Sequence, residues 1–301
     1  MSESFSKLVR LMATLRAPNG CPWDRKQTHE SLKPYLLEET YEVLETIDHQ
    51  DRVKLAEELG DVLLQVIFHS QIAAEAEHFS IDDVIERLSD KLIRRHPHVF
   101  GHGTTDDQPT NAEQVVHRWE EIKRAERQTA GRSGSVLDGV PQTLPALLRA
   151  FQVQARASRV GFDWTHDAAG FDQVLNKIEE EIRELRKAVR SPASEPGADG
   201  TTPSSRQNQI AAEFGDVLFS LVNLARFIKV NPEDTLRLAT NRFSERFHFI
   251  ETQANAAGRT VNELSLAEMD RLWEEAKTQS QTTPRSSTST HLPDNDQETR
   301  P

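Results

Sequence analysis

The chain is 301 residues long and 36% hydrophobic, with 48 acidic against 36 basic residues and a net charge of −12. It can bury one large core or two modest ones, and it lacks the basic surface that binding a nucleic-acid backbone demands. Its single cysteine, Cys21, excludes an intramolecular disulfide and a cysteine-built zinc site, the longest apolar run is too short for a bilayer, and the N-terminus has no signal-peptide core; the expectation is a soluble cytoplasmic protein with neither a membrane nor a nucleic-acid polymer as partner.

Helical periodicity and helix punctuation run through most of the sequence, with almost no sustained two-residue alternation, which predicts an all-α fold. From the N-terminus, Gly20-Cys21-Pro22-Trp23-Asp24 leads to Glu39-x-x-Glu42 and then Glu58-x-Gly60-Asp61. Residues three apart on a helix project about 60° from one another, so each pair aims two carboxylates to one side. Val62 to Phe68 is apolar except for Gln65, which predicts a buried helix. Gln65 falls seven residues after Glu58 and continues the acidic column, placing the acids at the edge of a core. Downstream come Ser80-x-x-Asp83, which resembles a capping box, the i, i+4 basic pair Lys91 and Arg95, a second box at Thr110-x-x-Glu113, and Trp119-x-x-x-Lys123. His96, His98 and His102 look metal-like, but Pro97 and the glycines place them in a loop, and a structural or surface role is expected. Cys21, beside Pro22 and Trp23, is expected to pack rather than attack, since no base is placed for it.

Gly131-Arg132-Ser133-Gly134-Ser135, followed by Pro141 and Pro145, interrupts any helix and sets a boundary. The expected domains are 1–130 and 142–277, joined by a linker over 131–141. The second half then respells the first: Gly161-Phe162-Asp163-Trp164, Glu181-x-x-Glu184, Glu213-x-Gly215-Asp216 with an apolar run broken by Ser220, Arg242-x-x-x-Arg246, and Trp273-x-x-x-Lys277. Asp61 to Lys91 is 30 residues and Asp216 to Arg242 is 26. Asn231-Pro232 and Ser265-x-x-Glu268 mark two further helix starts. The stretch 191–208, rich in Pro, Gly, Ser and Thr, predicts an enlarged loop between the two acid-bearing helices, and 278–301 predicts a disordered tail. His166-Asp167 superficially matches the dipeptide of some metal phosphohydrolases, but the further ligands of such a site are missing.

Repeated carboxylates held close repel one another and lose hydration on burial, so a cation belongs among them. A hard divalent ion fits, Mg²⁺ above all with Mn²⁺ as a substitute, because it binds through a few acids, water and substrate phosphates. That is the chemistry of a nucleotide polyphosphate, with a water set for in-line attack on phosphorus. Candidate metal-binding and catalytic residues are therefore Glu39, Glu42, Glu58 and Asp61 in the first half and Glu181, Glu184, Glu213 and Asp216 in the second. Candidate substrate-binding residues are Lys91, Arg95, Trp119 and Lys123, with Arg242, Arg246, Trp273 and Lys277. The tryptophans offer either a flat surface for a base or an anchor in the core.

The strings Gly20 to Asp24, Leu37-Glu38-Glu39-Thr40-Tyr41-Glu42, Glu57 to Asp61, Arg94-Arg95-His96-Pro97-His98-Val99-Phe100, and Gly161 to Trp164 together resemble the MazG nucleoside triphosphate pyrophosphohydrolases of the all-α NTP pyrophosphatase superfamily, over roughly residues 5–277. The resemblance implies two tandem MazG-like helical bundles completed by homodimerisation. It also implies Mg²⁺-dependent hydrolysis of nucleoside triphosphates to the monophosphate and pyrophosphate, with metal on Glu181, Glu184, Glu213 and Asp216 and the triphosphate or base near Arg242, Arg246, Trp273 and Lys277. Arg242 stands where the pattern opens with Lys, and Thr240 where Asn is common, which leaves substrate preference open while charge is kept. A nucleotide-sensing or partner-binding module without turnover is the alternative. A di-iron bundle ranks third, because it wants Glu-x-x-His pairs and finds Glu42, Asp61, Glu184 and Asp216 at those positions.

Overall fold

The computed structural model describes residues 3–101, 134–191 and 204–282, together with 109–111, 114, 115, 118, 119, 122, 123, 125 and 126. His102, Glu113 and the last nineteen residues of the expected tail lie outside the described residues. Every regular element among those described is helical, and the chain divides into two compact units, Met1–Ala130 and Gly131–Pro301. No helix among the described residues is long and apolar enough to cross a membrane.

Unit 1 includes the helices α1 (Glu3–Arg16), α2 (Pro22–Lys26), α3 (Lys33–His49), α4 (Arg52–Glu75), α5 (Ile81–Arg95) and the single turn α6 (Pro97–Phe100), with further helical residues among those described between 114 and 126. Helices α3 and α4 form a tight hairpin. Gln50 turns the chain in the left-handed region at φ 55°, and Asp51 then caps α4, accepting hydrogen bonds from the amides of Val53 and Lys54 at 3.1 and 3.0 Å. Met12, Leu32, Ile67, Phe68 and Ile81 form the core between α1, α4 and α5. Arg16 ties α2 to this core: it pairs with Glu75 at 2.7 Å, donates to the carbonyls of Asp24 and Gln27, and lies 5.4 Å over the Phe68 ring.

Unit 2 contains α7 (Ala146–Ser158), α8 (Ala168–Arg190), α9 (Ser204–Phe227), α10 (Pro232–Ala256), a 3-10 turn (Val261–Glu263) and α11 (Leu266–Thr282). Helix α9 packs along α8 and against α7, while α11 lies on α10 over a second cluster of Ile250, Ala254, Leu264 and Leu272. Helix α9 begins at Ser204, inside the stretch 191–208 expected to be loop. Once Pro203 is passed nothing prevents a helix, and the Arg206 guanidinium donates to the Val189 carbonyl at 2.5 Å. Helix α11 likewise runs to Thr282, past the expected end at 277, since no breaker stands before Pro284.

The start signals behave as their chemistry requires. Ser80 and Asp83 exchange cap hydrogen bonds, Asn231 accepts from Glu233 and Asp234, and Ser265 and Glu268 form a reciprocal box. The Thr110 amide instead donates to Gln114 Oε1 at 2.8 Å. The apolar helices after Asp61 and Asp216 are buried on one side only. Leu59, Leu63 and Val66 on α4, and Phe214, Leu218 and Leu221 on α9, are exposed stripes at i, i+4, i+7, because the described helices of each unit cover only one face.

Candidate active site

The acids converge because each hairpin brings one acidic pair from each of its helices to the same level. In unit 1 one oxygen from each of Glu39 (α3), Glu58 and Asp61 (α4) lies within 4.8 Å of the others, and in unit 2 the same holds for Glu181 (α8), Glu213 and Asp216 (α9). One glutamate of each set is deeply buried, Glu58 at 5% and Glu181 at 7% exposure. Burial, reinforced by Asp61, Glu38 and Glu58, pushes the Glu39 carboxyl above its ordinary range. Glu42 completes the set in unit 1 through a hydrogen bond with Glu58, and that bond together with the Glu58 charge raises it too. Glu184, on the turn after Glu181, is exposed and stands outside the tight group of three.

Each buried glutamate has a lysine one turn before it on its own helix. Lys54 approaches Glu58 at 3.6 Å, and Lys177 donates to Glu181 at 2.8 Å and Glu180 at 3.1 Å, which raises the Lys177 ammonium. Crowded carboxylates are short of positive charge, and a donor set made only of oxygens suits a hard divalent cation. The residues present fit such an ion.

The basic and aromatic candidates sit differently. Arg95 and Arg94 both bind Glu126, at 2.8 and 2.7 Å, and these bonds hold the Glu126 carboxyl at about 2. Trp119 meets His96 edge-on at 5.0 Å, which gives that histidine a packing role; Lys91 is exposed, and Lys123 is half-buried. In unit 2 Arg246 lies 5.4 Å over Trp273, Trp273 packs on the Ile250 cluster and tilts against Phe243, Lys277 pairs with Glu274 at 2.6 Å, and Arg242 is half-buried on α10. None of these four lines the cavity that contains the acids of unit 2. Trp273 is an anchor here, with a cation on its face.

That cavity, about 700 Å³, lies between α7, α8 and α9 and includes Glu181 and Asp216 in its wall. Its floor is organised by a salt bridge the sequence reading missed. Arg226 of α9 holds Asp163 through two hydrogen bonds of 2.7 and 2.5 Å, and Asp163 also accepts from the Trp164 amide. Burial pushes the Asp163 carboxyl up, but the Arg226 guanidinium outweighs it and leaves the group below its ordinary value. Gly161 starts this segment at φ +89°, a conformation L side chains rarely adopt, and so swings Phe162 to the cavity mouth. His166 stacks on Phe227, and Asp167 caps α8 by accepting from Gly170, so the His-Asp dipeptide is structural. The sequence contained a signal for the bridge: an arginine ten residues beyond Asp216 and an aspartate in the Gly-Phe-Asp-Trp string.

The profile of the MazG nucleotide pyrophosphohydrolase domain matches residues 27–100. The chain is 46% identical over 273 residues to the nucleoside triphosphate pyrophosphohydrolase/pyrophosphatase MazG of Thermotoga maritima, covering 91% of this chain and 95% of that protein. It is 40% identical over 278 residues to the nucleoside triphosphate pyrophosphohydrolase of Escherichia coli K12, covering 92% and 98%. Against the uncharacterized protein YabN of Bacillus subtilis it is 44% identical over 275 residues, 91% of this chain but 52% of that one.

Proposed function

This chain belongs to the MazG family of nucleotide pyrophosphohydrolases, and we propose from that premise that it hydrolyses nucleoside triphosphates to the monophosphate and pyrophosphate at the acids of its helical hairpins. The observation that carries the reading is the convergence of three carboxylates from two helices within 4.8 Å, once in each unit. Glu39, Glu58 and Asp61 with Glu42, and Glu181, Glu213 and Asp216 with Glu184, would hold Mg²⁺ or, in its place, Mn²⁺. When bound, that ion neutralises phosphate oxygens and makes a water a better nucleophile.

The chain's own groups do the rest. The rigid hairpins fix the carboxylates before substrate arrives, so little reorganisation is left for the reacting state. The water oxygen bonds to the α-phosphorus, the bond from that phosphorus to the bridging oxygen breaks, pyrophosphate leaves, and the water's proton passes to a carboxylate of the same set. Lys177 lies beside Glu181 and carries a positive charge that a phosphate oxygen can share once the carboxylates are otherwise occupied. Arg242 and Arg246 add cationic groups on α10 for the triphosphate, and Lys91, Arg95 and Lys123 do so in unit 1, where Arg95 must first exchange Glu126 for phosphate. Hydrolysis that tolerates any base would serve to clear unwanted nucleotides from the pool.

The test is product analysis after incubating the protein with ribo- and deoxynucleoside triphosphates and Mg²⁺. Monophosphate and pyrophosphate are expected; diphosphate and orthophosphate would place attack at the wrong phosphorus, and binding without products would indicate a sensor. Glu213→Gln together with Glu58→Gln keeps shape but removes charge, and turnover should fall by at least about 100-fold. Unchanged turnover in that double variant would remove the acids from the mechanism.

A further inference from the structure

Gln154, a residue in the wall of the unit 2 cavity, carries a buried hydrogen-bond acceptor with no donor. We propose that this cavity seats the nucleobase and that Gln154 reads it, an inference that rests on the hydrolase reading above and assigns the base to a place apart from Trp273. Gln154 is 6% exposed, and its Nε2 donates to the Phe219 carbonyl at 2.8 Å. A carbonyl can only accept, so the amide cannot be flipped, and Oε1 is the end left over. That oxygen is buried and lacks a partner. A bound N–H would repair the deficit. Asn223, on the same wall, accepts from Arg226 through Oδ1 at 3.3 Å, which leaves its Nδ2 to donate.

The remaining walls suit a flat, neutral ring. Phe162, Trp164 and Phe219 line the cavity, and Phe162 is 82% exposed although it stands at the mouth, an aromatic face that a stacked ring would cover. Arg226 spends its charge on Asp163, so this end attracts a neutral heterocycle rather than phosphate. At the other end stand Glu181 and Asp216, so one ligand can place its base on Gln154 and its phosphates at the acids. Unit 1 differs at the matching register. Seven residues after Asp61, where unit 2 has Asn223, stands Phe68, 3% exposed and packed in the core. An acceptor on Gln154 and a donor on Asn223 in one cavity wall answer the N–H and the acceptor found on the pairing edge of all four bases, which makes the pocket tolerant of base identity and intolerant of a missing base.

The experiment compares kcat and KM for the four nucleoside triphosphates with those for ribose 5-triphosphate, which has no base. Wild-type protein should favour the nucleotides, and Gln154→Leu should shrink that preference by about 10-fold, through KM rather than kcat. Retained discrimination in Gln154→Leu overturns the proposal and leaves the hydrolase reading intact. If Gln154→Leu does not fold by circular dichroism, Ala157→Leu narrows the same cavity without removing a polar group: loss of discrimination supports the proposal, and retention overturns it. If wild-type protein hydrolyses neither substrate, the hydrolase reading falls, and the cavity is judged by adenosine quenching of Trp164 emission, taken as the difference from Trp164→Phe. Quenching that Gln154→Leu abolishes supports the seat, and no quenching overturns it.

Discussion

Asp163 and Arg226 show how much depends on where a charge stands. Their side chains are 13% and 10% exposed and joined by two short hydrogen bonds, whereas the pair of Asp234 and Arg237, with similar bond lengths, is 33% and 21% exposed. Removing one member of a buried pair leaves its partner unsolvated, while an exposed pair returns to water. Arg226→Leu should therefore destabilise the protein by about 3 kcal/mol, and Arg237→Leu by less than about 1 kcal/mol, both measured by urea denaturation. Equal effects would mean that the bridge is not the clasp holding the Gly161–Trp164 segment to α9. Asp163 and Arg226 each stand in a recognisable place in the sequence, but a bridge between positions 63 apart has no period, so spacing alone does not pair them.

At the scale of the element, caps and hairpins decide where the acids stand. The all-α fold and the acidic pairs are legible in the sequence because helical spacing is local: Glu39 and Glu42, or Glu58 and Asp61, share a side of a helix whatever surrounds them. Which acids come closest is not legible, since it depends on how the hairpins close, and Glu184 stays exposed while Glu42 bonds Glu58. The partners of the basic residues on α10 and α11 were hard to read for the same reason: Arg246 lies over Trp273 of the neighbouring helix, and Lys277 pairs with Glu274 one turn away. Caps are short-range and therefore testable one at a time. Arg259, then the Ser265 amide and hydroxyl, hold the Glu268 carboxyl at about 2, below its ordinary 4.5. A lowered acid stabilises the fold fully above the ordinary value and loses that contribution as pH falls through the lowered one. Glu268→Gln keeps the box geometry and removes the charge, so it should melt below wild type at neutral pH, and the gap should close as pH falls from 4.5 to about 2. A gap independent of pH would show that geometry, not charge, is what Glu268 contributes.

For the molecule as a whole, the exposed stripes Leu59, Leu63, Val66 and Phe214, Leu218, Leu221 flank the acids at identical register in the two units. Apolar ridges of this kind call for cover, and we propose that homodimerisation supplies it. Sedimentation should find a dimer in the wild type, and Leu63→Glu or Leu218→Glu should shift it toward monomer; a monomeric wild type would end the proposal. The lysines beside Glu58 and Glu181 have a different consequence. A tethered ammonium cannot be washed away by a chelator, so if the acids hold metal as proposed, the hairpins would keep part of their charge balance through a shortage of divalent ions. An ion arriving at the proposed site would have to displace that ammonium before it settled, which would weaken its hold and let it exchange readily.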